Sequence, residues 1–456
     1  MDKITEAVQL QNDTIKSNEL LDISKRIELL LKLKEVICDN EQRIVDALKA
    51  DLNKPVFESY ISEIDFVVHE IDLSISNIRK WAKPQKVGSP LTFFPVKSYI
   101  YKEPYGKVLI ISPWNYPFQL LLDPLVGAIA AGNTAILKPS EMAPSTAKVI
   151  TELIESKIDK KYIAVVNGGV EETTALLEQR FDYIFYTGNG HVARIVMAAA
   201  AKHLTPVTLE LGGKSPCVVL NKDLDLSAKR IVWGKFFNAG QTCVAPDYVL
   251  ITPEAKDTFV KACEKWISYF YGKDVKSSSD YGRIINERHF DRLNSYIEGS
   301  EPLTGGIVDK SEKYISPTLV SADSKSSIMQ DEIFGPILPI VEISDLSEAI
   351  SFIRTNEKPL ASYAFLDEAS EKDRFISEVS SGGMVINDTI VHLSNPKLPF
   401  GGVGESGIGG YHGKYSFDLF SHSKSVMKRS FLFENSLRYP PYQGKLDLIR
   451  KIMSIL

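Results

Sequence analysis

Apolar residues in the opening part of the chain recur at spacings of three and four. Ile61, Ile64, Val68, Ile71, Ile75 and Ile78 share one face of a helix, which Pro84 stops. After Pro104 the period changes: KVLIIS (107–112), TAILKP (134–139), YIAVV (162–166), YIFYT (183–187) and PVTLEL (206–211) are short apolar runs separated by helical stretches. Such alternation predicts a parallel sheet wound with helices. A second series, YVLIT (248–252), ILPIVEI (337–343), ASYAFL (361–366) and GMVIN (383–387), predicts a second α/β unit. Two segments fit neither series. SYIYKEP (98–104) and FDLFSHSKSVMKRS (417–430) alternate polar and apolar residues, as edge strands or an arm pairing with another subunit would. The closing GKLDLIRKIMSIL (444–456) has the amphipathic pattern of a docking helix or of a weak membrane-surface contact.

At 456 residues the chain exceeds what one core organises, so two or three domains are expected. The net charge of −5 is spread over interspersed acids and bases. There is no basic patch, which excludes a nucleic-acid partner. The most apolar stretch, 120–137, holds Asp123, Pro124, Gly127, Gly132 and Asn133, so no membrane span is expected. The four cysteines lack C-x-x-C spacing and MDKITEAVQLQND carries no apolar signal segment, which points to a reducing cytoplasm. The seven histidines form no close ligand pair, so no metal is expected.

Cys243, in FFNAGQTCVAPDY, and Glu210, in TLELGGKSP, carry the strongest chemical signal. A buried cysteine is commonly a small hydrophobe, but Gly240 interrupts a helix-like stretch and Gln241 and Thr242 set polar groups beside this sulfur. Glu210 lies between Leu209 and Leu211 and before two glycines, where desolvation would raise its pKa and suit it to act as a base. The turn TGNGHVA, with Gly188, Gly190 and Ala193, matches the G-x-G-x-x-A dinucleotide fingerprint, and would make Glu210 the ribose acid. That assignment leaves Cys243 without a role. A second cofactor site presents itself at LKPSE, where Lys138 and Glu141 follow a strand end and would hold ribose and phosphate, or form a surface ion pair. Asn115 in SPWNYP is an oxyanion donor or a turn cap, and Glu332 in QDEIFGPILP a site carboxylate or a solvated turn acid. A P-loop is rejected for LPFGGVGESGIGG (398–410), because Tyr415 follows Gly413 and Lys414 and Ile408 stands where the first glycine belongs.

In their order, SPWNYP, LKPSE, TLELGGKSP, GQTC, EIFGP and LPFGGVGESGIGG closely resemble the aldehyde dehydrogenase superfamily over nearly the whole chain, and GQTCVAPDY resembles its class 3 branch of fatty and aromatic aldehyde dehydrogenases. The resemblance implies an α/β fold with a dinucleotide-binding domain (1–83 and 105–208), a catalytic thiol domain (209–415), oligomerisation strands (84–104 and 416–433) and a tail (434–456). It implies Cys243 as nucleophile, Asn115 as oxyanion donor and Glu210 as base. Lys138 and Glu141 would contact the adenosine ribose, Glu332 the nicotinamide ribose with Phe334 and Trp114 nearby, and Gly188 the phosphate turn. The resemblance implies NAD as cofactor, with NADP left open because Lys138 can offset the charge of Glu141. Asn189, Gly190, His191 and Ala193 depart from the branch pattern and put the pyrophosphate geometry in question.

The implied partners are a medium- or long-chain aliphatic or aromatic aldehyde and a second copy of the chain in a homodimer. Competing readings are a CoA-acylating dehydrogenase and a non-catalytic dinucleotide-binding or structural protein. Cys243→Ala abolishes cofactor reduction by aldehydes if the thiol is the nucleophile, and substantial residual turnover in a steady-state assay rejects it.

Overall fold

The computed structural model describes residues 3–90, 93–432, 434 and 436–454. Residues 91–92 and 433 of the expected oligomerisation strands, and 435 and 455–456 of the expected tail, lie outside them. The helical period of the opening part becomes helix Asp65–Trp81, entered through a π-helical turn at Tyr60–Ile64. That wider turn shifts the buried face, so Val67, Ile71, Ser74 and Ile78 point inward while Ile61, Val68 and Ile75 sit at the rim.

The first strand series forms a six-stranded sheet in the order Gly407–Ile408, Val207–Glu210, Tyr183–Thr187, Lys107–Ile111, Thr134–Lys138, Ile163–Val165. All pairings are parallel except that of Gly407–Ile408, which closes the edge beside Val207–Glu210. Every residue of Lys107–Ile111, Thr134–Lys138 and Tyr183–Thr187 is buried, which is why these strands read as unbroken apolar runs. Lys107–Ile111 is flanked by its successor on one side and by Tyr183–Thr187 on the other. The winding direction reverses there, and such switch points open a crevice at the carboxyl ends of the strands.

The second sheet has seven strands in the order Glu301–Thr304, Thr318–Ser321, Ile337–Glu342, Tyr248–Ile251, Pro216–Val219, Ala361–Phe365, Gly383–Ile386. The sequence pattern omitted Pro216–Val219, which is four residues long and abuts a glycine turn. Val207–Glu210 belongs to the first sheet, so the expected boundary at 208/209 falls inside a strand. One buried cluster runs through both sheets, joining Val108 and Ile110 to Val218 and Leu250, while Leu109, Ile136, Ile184 and Leu209 pack on the other face with Val196. This division follows the period-two alternation of strands.

Val96–Pro104 pairs along its whole length with Ser421–Arg429, and Gln85–Val87 lies on its other side. The expected strand 417–430 needs correction at its start: Lys414–Leu419 is a helix, because Phe417 and Phe420 drop together against helix Gln119–Ala131. Helix Leu446–Met453 carries no buried residue. Among the described residues no helix is long and apolar enough to cross a membrane, and the apolar stretch after 119 is the fully buried helix Gln119–Ala131.

Gly407 has φ +148°, and a Cβ there would meet the Leu209 carbonyl oxygen at 2.3 Å. Gly407→Ala therefore lowers the midpoint of urea unfolding, by a cost of about 1–3 kcal/mol for overpacking against backbone. An unchanged midpoint would show that the edge relaxes freely.

Candidate active site

The carboxyl ends of the first sheet open onto a cavity of 640 Å³ lined by Cys243, Glu210 and Asn115 together with Trp114, Lys138, Glu141, Gly188, Glu332 and Phe334. Every candidate site residue read from the sequence is therefore in one place. Glu210 ends its strand, opposite Thr187 on one side and Gly407 on the other. Its side chain is 2% exposed and neither carboxyl oxygen has a hydrogen-bond partner in the protein. Burial pushes its pKa well above the usual carboxylate range.

Cys243 is delivered by a strained bend rather than by an interrupted helix. Helix Leu224–Phe236 stops before the glycine, and Asn238, Ala239 and Gly240 then take φ of 53°, 52° and 74°. Left-handed backbone at Asn and Ala costs of order 1–3 kcal/mol per residue, so it persists only where surroundings impose it. Here the Asn238 N–H donates to Glu58 at 2.9 Å, and Gln241 Nε2 donates to the Asn238 and Arg283 carbonyls at 3.1 and 2.9 Å. A Cβ at Gly240 would lie 2.3 Å from the Gly335 carbonyl oxygen, which brings the Glu332 loop against the bend.

The sulfur is half-buried, and its surroundings disfavour the thiolate. Burial raises its pKa, the charges of Glu332 and Glu210 raise it further, and the N–H groups of Cys243 and Val244 oppose this only in part. So placed, the thiol holds its proton more tightly than an exposed cysteine does. Burial, with Asp247 adding to it, likewise raises Glu332 to about 8, opposed by the Gly213 N–H, Lys214 and Lys235. Gly212 makes room for this carboxylate, since a Cβ there would sit 2.0 Å from Glu332 Oε2.

Asn115 Nδ2 donates to the Gln241 carbonyl at 3.0 Å, and its second hydrogen has no acceptor among the described residues. Its own backbone carbonyl accepts from Lys54 Nζ at 3.0 Å and from Asn238 Nδ2 at 2.9 Å. Trp114 packs its ring 5.0 Å from His289 and 5.4 Å from Phe334, walling the cavity beside Asn115.

Lys138 is buried at the carboxyl end of its strand, donating to the Pro139 carbonyl at 2.9 Å and lying 3.5 Å from Glu141 at the rim. Burial lowers its pKa and Glu141 counters that. Gly188 lies flat on Tyr186, whose hydroxyl a Cβ would meet at 2.3 Å, and its N–H donates to the Glu210 carbonyl at 2.9 Å. Asn189 then caps helix Gly190–Ala201 by accepting from the Val192 N–H. A buried amine, a helix N-terminus behind a close glycine turn and carboxylates for hydroxyl groups fit a dinucleotide.

Sequence reasoning missed the cations on helix Glu287–Glu298. Arg288 and Arg292 line the cavity, and Arg292 donates to the Ile333 carbonyl at 2.8 Å, steadying the loop between Glu332 and Phe334. Two arginines one turn apart look like a solvated helix face, so no sequence signal set them apart. Lys54, Glu58 and Glu63 were missed for the same reason.

Comparison with known proteins agrees with this geometry. The family described as "Aldehyde dehydrogenase family" matches residues 1–426. The chain is 50% identical over 433 residues to 4,4'-diaponeurosporen-aldehyde dehydrogenase of Staphylococcus aureus, covering 94% of each chain. It is 48% identical over 450 residues to the dimeric NADP-preferring aldehyde dehydrogenase of Rattus norvegicus, covering 98% of this chain and 99% of that one. The solved substrate-bound state of Staphylococcus aureus AldH superposes with a TM-score of 0.98 at 48% identity, covering 99% of this chain and 100% of that chain.

Because burial raises the Cys243 thiol, its alkylation by iodoacetamide accelerates with pH without reaching a plateau by about pH 9, whereas a free cysteine with pKa near 8.5 is levelling off there. Peptide mass spectrometry separates Cys243 from the exposed Cys38. A plateau at or below pH 8 would contradict the environment described for the sulfur.

Proposed function

The chain belongs to the aldehyde dehydrogenase family and oxidises aldehydes to carboxylic acids with NAD or NADP; on that premise we propose that Cys243 is the nucleophile, Asn115 the oxyanion donor and Glu210 the base of hydrolysis. The observation that carries this reading is the shared cavity, in which a desolvated Glu210 with no protein partner stands with the sulfur and the Asn115 amide.

In the first step the Cys243 thiol yields its proton to a site carboxylate and its sulfur forms a bond to the aldehyde carbon. The carbonyl pair moves to oxygen, where one N–H of Asn115 Nδ2 and the Cys243 backbone N–H stabilise the charge. A dinucleotide held in this cavity by the residues named below would supply the hydride acceptor. Loss of hydride from the carbon restores the carbonyl as a thioester on Cys243. Glu210 then takes a proton from water, the water oxygen attacks the thioester, and the C–S bond breaks with its electron pair left on sulfur. The acid is released and the thiolate is reprotonated.

Lys138 and Glu141 would hold the adenosine ribose and Glu332 the nicotinamide ribose, with Gly188 in the phosphate turn and Phe334 and Trp114 alongside. The negative Glu141 favours a free 2′-hydroxyl, and Lys138 offsets it enough to admit NADP. We assign apolar aldehydes, medium- or long-chain aliphatic or aromatic, as substrates. Trp114 walls the cavity beside the oxyanion donor, and one relative is named 4,4'-diaponeurosporen-aldehyde dehydrogenase. A homodimer is the proposed assembly, since Ser421–Arg429 is an outer strand of the arm and one relative is named dimeric. The free cysteines accord with a cytoplasmic setting.

Glu210→Gln gives a burst of reduced cofactor followed by a steady rate lowered roughly 10²–10⁴-fold, the usual contribution of a general base. CoA in the assay leaves the wild-type product as free acid. An unchanged steady rate in the variant would remove Glu210 from hydrolysis, and acyl-CoA as product would make the enzyme an acylating one.

A further inference from the structure

Lys54 and Glu63 form an ion pair in which neither side chain is exposed to solvent. Neither lines the cavity, and neither is among the charges that shift Cys243. The chemistry proposed above gives them no task. Replacing a buried ion pair by apolar residues of similar size is often neutral or stabilising, so stability alone does not account for one.

Beyond the pair itself, its side-chain hydrogen bonds fall on the loop that carries Asn115. Lys54 Nζ donates to Glu63 and to the Asn115 carbonyl at 3.0 Å, and lies 4.1 Å from the centre of the Tyr116 ring. The other oxygen of Glu63 accepts from the N–H groups of Phe118 and Gln119 at 3.0 and 2.9 Å. These are donors at the start of helix Gln119–Ala131, which lack intrahelical acceptors and favour a negative charge. One buried pair thus grips both ends of the segment 115–119.

A second grip comes from the strained bend. Asn238 Nδ2 reaches the same Asn115 carbonyl at 2.9 Å, so that oxygen is engaged by two donors. The bend is itself pinned by Glu58, and the Asn115 side chain donates to Gln241. Asn115 is therefore tethered at its backbone and at one amide hydrogen, which leaves the direction of the other hydrogen determined.

We propose that Lys54 and Glu63 are positioning residues of the oxidation: they fix the backbone of Asn115 and thereby aim its amide at the oxygen that acquires negative charge. The inference rests on the reading of Asn115 as oxyanion donor. A displacement of about 1 Å at a catalytic group costs on the order of 10²-fold in rate, so a loop held only by Asn238 loses turnover without losing the thiol.

The test is the paired variant Lys54→Met/Glu63→Gln, which removes both charges and leaves neither stranded. Its kcat for aldehyde oxidation falls roughly 10- to 100-fold, and hydrolysis of 4-nitrophenyl acetate, which also forms an oxyanion, falls with it. Alkylation of Cys243 by iodoacetamide at pH 9 forms no oxyanion and stays within about twofold, as does the Kd for NAD. In an Asn115→Ala background the paired change adds no further loss of kcat, because its effect passes through the missing amide. If the pair does not fold, Glu63→Gln alone, which keeps the shape of the side chain and weakens its hold on the Phe118 and Gln119 N–H groups, is read in the same way.

Three outcomes overturn the proposal: unchanged kcat in the paired variant, losses that multiply with Asn115→Ala, or alkylation falling in proportion to oxidation. An Asn115→Ala enzyme with unchanged kcat instead overturns the oxyanion reading itself, and so separates the two failures.

Discussion

The geometry of the site depends on a tether. Leu211–Ser215 joins Glu210, at the end of the first sheet, to Pro216, where the second sheet begins. Five residues reach at most about 18 Å. Pro216 pairs with Tyr248, and the N–H of Asp247 donates to the Ser215 carbonyl at 2.8 Å, so the segment that ends in Asp247 and contains Cys243 must return to the tether. Lys214, bonded to Asp247 at 2.6 Å with both side chains nearly buried, fastens the two. The acid and the thiol are near each other because one short connection and one strand register leave them little choice.

What surrounds them is electrostatically uncomfortable, and consistently so. Glu210, Glu332 and Glu58 are all shifted toward their neutral forms, and Lys235 lies buried with an unpartnered amine whose pKa falls to about 8. Such groups oppose folding unless charge arrives to match them. A site that works on a carbonyl gains from this, because a carboxylate stripped of water is a stronger base and a fixed amide donor a better anion host. The strain in Asn238 and Ala239 has the same character: local energy held by the surrounding contacts in exchange for a defined direction of approach.

Much of the architecture was legible in the sequence for a simple reason. Strands buried on both faces are continuous apolar runs, so 107–112 and 183–187 stand out, and glycines at close approaches, Gly212 against the Glu332 carboxylate and Gly240 against the Gly335 backbone, frame the acid and the thiol. Cys243 and Glu210 could be singled out by polar or glycine neighbours where packing residues would have had apolar ones. The rest was hidden by ambiguity of pattern. Pro216–Val219 is too short to show a period. Residues 417–419 look like the start of a strand but close helix Lys414–Leu419, because Phe417 and Phe420 satisfy either pattern until the helix they pack against is known. Lys54, Glu58 and Glu63 are scattered through the mixed stretch DLNKPVFESYISEI (51–64), which shows no pattern that marks a buried charge, and only the three-dimensional contacts reveal that their side chains are dry.

The two-residue strand Gly407–Ile408 has a meaning for the life of the chain before it is finished. Until residues 407–408 have been synthesised, the strand that ends in Glu210 is an open sheet edge, with unpaired backbone groups along an apolar surface. Such an edge recruits strands from other chains. The last piece of the first sheet thus arrives after the whole second sheet has left the ribosome. A nascent or truncated chain ending before it carries the thiol and the acid together with a bare edge that invites self-association, and the completed chain seals that edge beside the acid.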